Sequence, residues 1–139
     1  AMPQHVVRKL GDALNHRAAK ALNGARVLLM GMAYKKNVDD IRESPSFKLI
    51  EFLEAYGTEV DFHDPYVAEI PETREHPRLA GRAGVPLDDA TVAGYDAVLI
   101  STDHDQVDYA ILHRSARIVV DTRNVMEKNG FGSDRVVKA

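Results

Sequence analysis

Four short stretches, following Met30, His63, Ile100 and Val120, gather residues able to do chemistry. The first begins Gly31-Met32-Ala33-Tyr34-Lys35-Lys36 and continues through Asp39-Asp40-Ile41-Arg42-Glu43-Ser44, so that Lys35, Lys36 and Arg42 are its cations. Cations on such a loop suit a phosphate, each charge-assisted contact being worth about 1.5–3 kcal/mol. The plainer reading is a solvated lysine pair balanced by Asp39 and Asp40. The second stretch is Asp64-Pro65. An aspartate there either binds a ribose, as in dinucleotide folds, or simply forms a turn before proline. The third, Ser101-Thr102-Asp103-His104-Asp105, offers His104 as a metal ligand or general base. A surface histidine on a capped loop is the plainer alternative. The fourth, Asp121-Thr122-Arg123-Asn124, carries one arginine, whose plain role is an ion pair with Asp121 or Asp103. His63 and His113 suggest no catalytic triad with a serine.

The elements that must position these stretches follow from periodicity. Residues 3–22 read as a helix, with Pro3 in its first turn and Val6, Leu10, Leu14 and Ala18 as one apolar stripe. Asn23-Gly24 ends it. Val27-Leu28-Leu29-Met30 is a continuous apolar run, as in strands covered on both faces. Ser44-Pro45 opens a second helix, serine as cap and proline at the first position, with Phe47, Leu49, Ile50, Leu53 and Tyr56 on its buried face. Further strands are expected at 59–63, 95–100 and 118–120, an edge strand at 136–137, and short helices at 87–93, capped by Asp88, and 108–113. Residues 67–84 lose all pattern and read as a polar excursion. Gly130-Phe131-Gly132 reads as a turn. Strands alternating with helices argue for an α/β fold. The expectation is a Rossmann-like three-layer sandwich with a mainly parallel sheet, preceded by a connecting helix. Residues 1–24 would be that connector and 25–139 the domain. In such sheets ligands bind beyond the carboxyl ends of the strands, where all four stretches fall.

Composition narrows the classes. With 139 residues, 45% apolar and 28% charged, the chain suits one ordinary globular core. A net charge of −3 supplies no basic field for nucleic acid or an anionic membrane. No apolar run approaches the roughly 20 residues of a membrane span, and no signal pattern opens the chain, so a cytoplasmic home is the default. Ala1 before Met2 reads as a cloning remnant. The absence of cysteine excludes disulfides, thiolate metal sites and a cysteine nucleophile within these residues. A dinucleotide fingerprint G-x-G-x-x-G is also missing: Ala33 and Lys36 stand where glycines should, and the helix waits until Pro45. A receiver-type signalling domain would need an acidic pair where Gly31-Met32 stands.

Taken in order, Gly31-Met32-Ala33-Tyr34-Lys35-Lys36, Asp39-Asp40-Ile41-Arg42-Glu43-Ser44-Pro45, Tyr56-Gly57, His63-Asp64-Pro65-Tyr66, Ile100-Ser101-Thr102-Asp103-His104 and Val120-Asp121-Thr122-Arg123-Asn124 resemble the UDP-binding domain of the UDP-glucose/GDP-mannose dehydrogenase family. The resemblance covers almost the whole chain. It implies a parent enzyme in which an upstream domain binds NAD, a catalytic cysteine lies near a central connecting helix, and that helix contributes to a homodimer interface. The sugar's C6 alcohol is there oxidised twice by hydride transfer to NAD, the second time through a cysteine thiohemiacetal and thioester that water hydrolyses to the uronic acid. These residues alone would be inactive, with no catalytic group of their own. By motif position, Tyr34, Lys35 and Arg123 match residues that hold the UDP-sugar, and Arg42 one that contacts the NAD diphosphate. Ser101 to His104 and Glu43 to Pro45 resemble the branch acting on UDP-N-acetylhexosamines, UDP-N-acetylglucosamine above UDP-N-acetylmannosamine and UDP-glucose. The rival expectations are a free-standing Rossmann-like nucleotide-binding module, which would have little need of a leading helix, and a dimerisation module that uses the Val6-Leu10-Leu14 stripe.

Overall fold

The computed structural model describes residues 3–139; residues 1–2, including the remnant expected there, lie outside the described residues. Five strands form one sheet: β1 (Arg26–Met30), β2 (Glu59–His63), β3 (Ala97–Ile100), β4 (Val119–Asp121) and β5 (Val136–Lys138). They lie in the order β2-β1-β3-β4-β5, and every pairing is parallel. The order reverses between β1 and β3. In doubly wound sheets the loops part at such a reversal and leave a crevice for ligand.

Alternation along β1 explains the three layers. Val27 and Leu29 point to one face, where they join Val6, Leu10 and Leu14 of α1 (Pro3–Ala18) and Phe47, Ile50 and Leu53 of α2 (Pro45–Ala55). Leu28 and Met30 point to the other, against Val92 of α3 (Asp89–Ala93), Leu112 of α4 (Tyr109–Ser115) and Met126 of α5 (Val125–Lys128). The expected caps form: the Ser44 hydroxyl accepts from Ser46 N–H and Asp88 from Thr91 N–H; Asp108, expected inside its helix, is a further cap and accepts from Ala110 N–H. Among the described residues no helix is long and apolar enough to cross a membrane.

Several sequence expectations need correction. The leading helix stops at Ala18, not Leu22, with Ala19 in a left-handed conformation (φ 52°). Tertiary contact overrides propensity here: Lys20 turns away to place its ammonium 2.7 Å from Asp96. The Val6-Leu10-Leu14 stripe is buried in the chain's own core, so it is not a face left over for a partner, whereas Ala18 is exposed. The helix therefore serves the domain itself and does not distinguish a connector from part of an autonomous fold. Tyr56, expected on the buried face of α2, is 59% exposed because it falls at the C-cap, where the chain leaves the helix. Residues 67–84 are anchored on the α2 face by buried Val67, Ile70 and Leu79. His76 stacks on Phe47 with centroids 4.8 Å apart, and Arg78 and Arg82 converge on Glu54. The short helix α5 had no signal beyond Asn124 ahead of two apolar residues.

Candidate functional site

The loop after β1 is held at the carboxyl edge of the sheet by the loops after β2 and β3. Gly31 has φ +99°, a conformation that an L side chain rarely adopts. Its carbonyl accepts from the Ser46 hydroxyl at 2.6 Å, and the Ala33 carbonyl accepts from the Thr102 hydroxyl at 2.8 Å. Ser101 and Ser46 hydroxyls meet at 2.8 Å, joining the loop after β3 to the first turn of α2. The backbone from Gly31 to Ala33 is thus buried and fixed. Tyr34, Lys35 and Lys36, immediately beyond it, are exposed.

Asp64 is a structural hub, with a fully buried side chain unavailable to any ribose. Its Oδ2 accepts from the backbone N–H of Met32 (2.7 Å) and of Ala33 (3.1 Å). Its Oδ1 accepts from Tyr66 N–H at 2.8 Å, the turn-forming bond expected before Pro65. His104 Nε2 is 2.9 Å from the same Oδ2. Burial pushes the Asp64 carboxyl upward, but hydrogen bonds from His104, Met32 and Tyr66 outweigh it and hold the group below the usual carboxylate range.

His104 is no surface residue: it is 0% exposed. Its Nδ1 accepts from Asn37 N–H at 2.7 Å. An imidazole nitrogen that accepts an N–H carries no proton of its own, so the ring proton sits on Nε2 and is donated to Asp64. Both nitrogens are consumed, which leaves no lone pair for a metal and no free base for catalysis. The Asn37 side chain and Asp105 grip each other twice, Nδ2 donating to Oδ2 at 2.7 Å and Asp105 N–H to Oδ1 at 2.9 Å.

The cations divide. Lys36 pairs with Asp105 at 3.6 Å, and Arg42 clamps Asp40 through Nε (3.1 Å) and Nη2 (2.9 Å). Hydrogen bonding to Arg42 lowers the Asp40 pKa to about 2. Lys35 and Arg123 take part in no ion pair among the described residues. The lysines are exposed and Lys35 helps to lower Asp40, in keeping with part of the plain reading of a solvated pair balanced by Asp39 and Asp40, whereas the arginine's expected pair with Asp121 or Asp103 does not form. Asp121 is occupied by the backbone N–H groups of Arg123 and Met126. Among the described residues the exposed Arg123 guanidinium is steadied by Nε donating to the Ser101 carbonyl at 2.9 Å, and its terminal nitrogens have no partner there.

Two concavities meet at Pro45. A cleft of about 90 Å³ lies between Arg123, Ser101, Thr122 and the first turns of α1 and α2. An open groove of about 1050 Å³ runs between the 40–48 segment and residues 71–76, with Tyr34, Arg42, Lys48, Arg74 and His76 along it. Only the second has the size of a nucleotide site. Of the four residues singled out from sequence, Tyr34 and Arg42 line the groove, Arg123 lines the cleft, and Lys35 lines neither. Sequence reasoning passed over Lys48, Arg74 and His76, because nothing in residues 67–84 signals that they fold against α2.

The profile of the UDP-glucose/GDP-mannose dehydrogenase family, UDP binding domain, matches residues 28–128. The UDP-N-acetyl-D-mannosamine dehydrogenase of Pyrococcus horikoshii is 30% identical over 136 residues, covering 94% of this chain and 29% of that protein. The UDP-glucose 6-dehydrogenase of Pseudomonas aeruginosa is 36% identical over 110 residues, covering 73% of this chain and 24% of that protein. A solved structure of the UDP-D-ManNAc dehydrogenase from Pyrococcus horikoshii superimposes with a TM-score of 0.71 at 26% identity, over 98% of this chain and 30% of that one. The chain therefore spans less than a third of the length of these relatives.

Proposed function

The chain belongs to the UDP-glucose/GDP-mannose dehydrogenase family as its UDP-binding domain, and from that premise we propose that it holds the UDP moiety of a nucleotide sugar for oxidation at C6 by a longer enzyme. Tyr34 and Lys35 contact the nucleotide sugar from the loop after β1, and Arg123 reaches it from the loop after β4. The observation that carries this reading is that Lys35 and Arg123, at the carboxyl edge of a doubly wound sheet, make no ion pair among the described residues, whereas Lys36 and Arg42 are each paired with a carboxylate. A diphosphate supplies the missing negative charge, and an arginine fork suits it.

NAD belongs to a different domain. The loop Gly31 to Lys36 lacks the glycines of a dinucleotide cradle, its Met32 and Ala33 amides are taken by Asp64 and its Tyr34 amide by the Asp40 carbonyl, and α2 begins only at Pro45. Bound to an upstream domain, NAD would accept the hydride. This chain's share is Arg42, presented by Asp40 on the groove side toward that cofactor's diphosphate. In this reading α1 is the end of a connector to the NAD domain, the parent enzyme is a homodimer, and the reacting cysteine lies outside these residues. The motifs at Glu43 to Pro45 and Ser101 to His104 support UDP-N-acetylglucosamine as the sugar nucleotide, with UDP-N-acetylmannosamine and UDP-glucose the relatives' substrates to compare.

Steady-state kinetics of the parent enzyme test the assignment. Lys35→Ala and Arg123→Ala should each raise KM for the sugar nucleotide about tenfold, a loss of about 1.4 kcal/mol, while Arg42→Ala raises KM for NAD instead. Unchanged kinetics in all three would refute it.

A further inference from the structure

The buried imidazole of His104 contributes nothing directly to the ligand surface, yet it joins three of the four loops at the carboxyl edge of the sheet. It sits on the loop after β3, donates to Asp64 after β2, and accepts from Asn37, midway along the loop after β1. The near end of that loop is held independently, by Asp64 on Met32 and Ala33 and by Thr102 and Ser46 on the carbonyls. Tyr34, Lys35 and Lys36 lie between the two anchors. Without the Asn37 anchor, an exposed segment with a left-handed Asn37 (φ 64°) would be held by exposed contacts, the clasp and the Lys36 ion pair to Asp105, and by the Tyr34 N–H bond to the Asp40 carbonyl.

We infer that His104 is a positioning residue for the nucleotide site: its Nδ1, by accepting the Asn37 N–H, sets the loop that presents Tyr34 and Lys35 to the UDP-sugar. This rests on the functional reading above for the identity of the ligand, though not for the geometry of the anchor. The direction of the hydrogen bonds matters. Asp64 retains three backbone donors if His104 is altered, so the Asp64 arm is redundant. Asn37 N–H has no other acceptor among the described residues, so the Nδ1 arm is not.

Two substitutions separate the arms. His104→Asn places a carbonyl oxygen near the position of Nδ1 and can still accept from Asn37. His104→Gln keeps a donor toward Asp64 and loses the acceptor. Calorimetric titration of the 139-residue chain with UDP, beside backbone amide exchange at Asn37 and urea unfolding, reads all three quantities at once. The expected result is selective. His104→Asn binds UDP within about threefold of the unaltered chain and protects the Asn37 amide, whereas His104→Gln loses about tenfold in affinity and exchanges that amide about tenfold faster. If both variants fold and bind alike, or if Asn37 is equally protected in both, the positioning role is wrong. If the unaltered chain binds no UDP, the functional reading fails instead, and the exchange data alone decide the anchor. Should His104→Gln not fold, the ¹⁵N spectrum of the unaltered ring decides: a neutral ring protonated on Nε2 supports the inference, and a proton on Nδ1 overturns it.

Discussion

Gly31 faces Thr102 so closely that a methyl group added at Gly31 would lie 2.8 Å from the Thr102 backbone nitrogen and nearer still to its Cβ. The two loops that flank the sheet's reversal point therefore touch backbone to backbone, and Gly31 holds φ +99° to allow it. Gly31→Ala adds both a clash and an unfavourable φ. It should cost about 2–4 kcal/mol in urea unfolding. A change below about 1 kcal/mol would mean that the loops part without cost.

Asp64 makes the domain acid-sensitive. Its folded pKa is depressed, so its contribution is complete above the ordinary aspartate value of about 3.9 and is lost as pH falls through the lower folded value. Asp64→Asn offers an NH₂ group where every neighbour is a donor, and it should cost about 3 kcal/mol at neutral pH. The acid limb of a stability–pH curve should flatten in that variant. An acid limb as steep as that of the unaltered chain would assign acid unfolding to other carboxylates.

The first helix belongs to the core. Leu10 and Leu14 are both 0% exposed, packed with α2 and the sheet. Leu10→Ala should cost about 2–5 kcal/mol, and removing residues 3–18 should leave a chain without a cooperative unfolding transition. A cooperative, stable truncated chain would restore the view of this segment as a mere connector.

Charge geometry at Arg123 gives a graded test. Arg123→Lys keeps the charge but gives up the fork and the Nε bond to the Ser101 carbonyl. Its UDP affinity should fall between that of the unaltered chain and that of Arg123→Ala, with a shallower loss as salt is raised in the alanine variant. Equal affinity in both variants would show that the guanidinium touches no phosphate.

Much of this architecture was legible from the chain. Apolar runs such as Val27 to Met30, capped starts such as Ser44-Pro45, and polar stretches after each strand are local signals, and local signals are what periodicity reads. The role of His104 was not legible, because its partners lie 40 and 67 residues away and only the closed sheet brings Asp64 and Asn37 to one imidazole. The same holds for residues 67–84. Their buried anchors, Val67, Ile70 and Leu79, are spaced like neither helix nor strand, and they meet α2 only after β2 is placed. The leading helix shows the opposite failure: its stripe was plain, but a stripe does not say which surface it covers.

The most direct test of the central claim is an amide NMR titration of this chain with UDP, with AMP and NAD as controls. Saturable shifts at Tyr34, Lys35 and Arg123 with UDP, and none with AMP or NAD, are the predicted result. Shifts that follow NAD or AMP while UDP leaves those residues unmoved would contradict the uridine-nucleotide assignment and favour a free-standing dinucleotide-binding module.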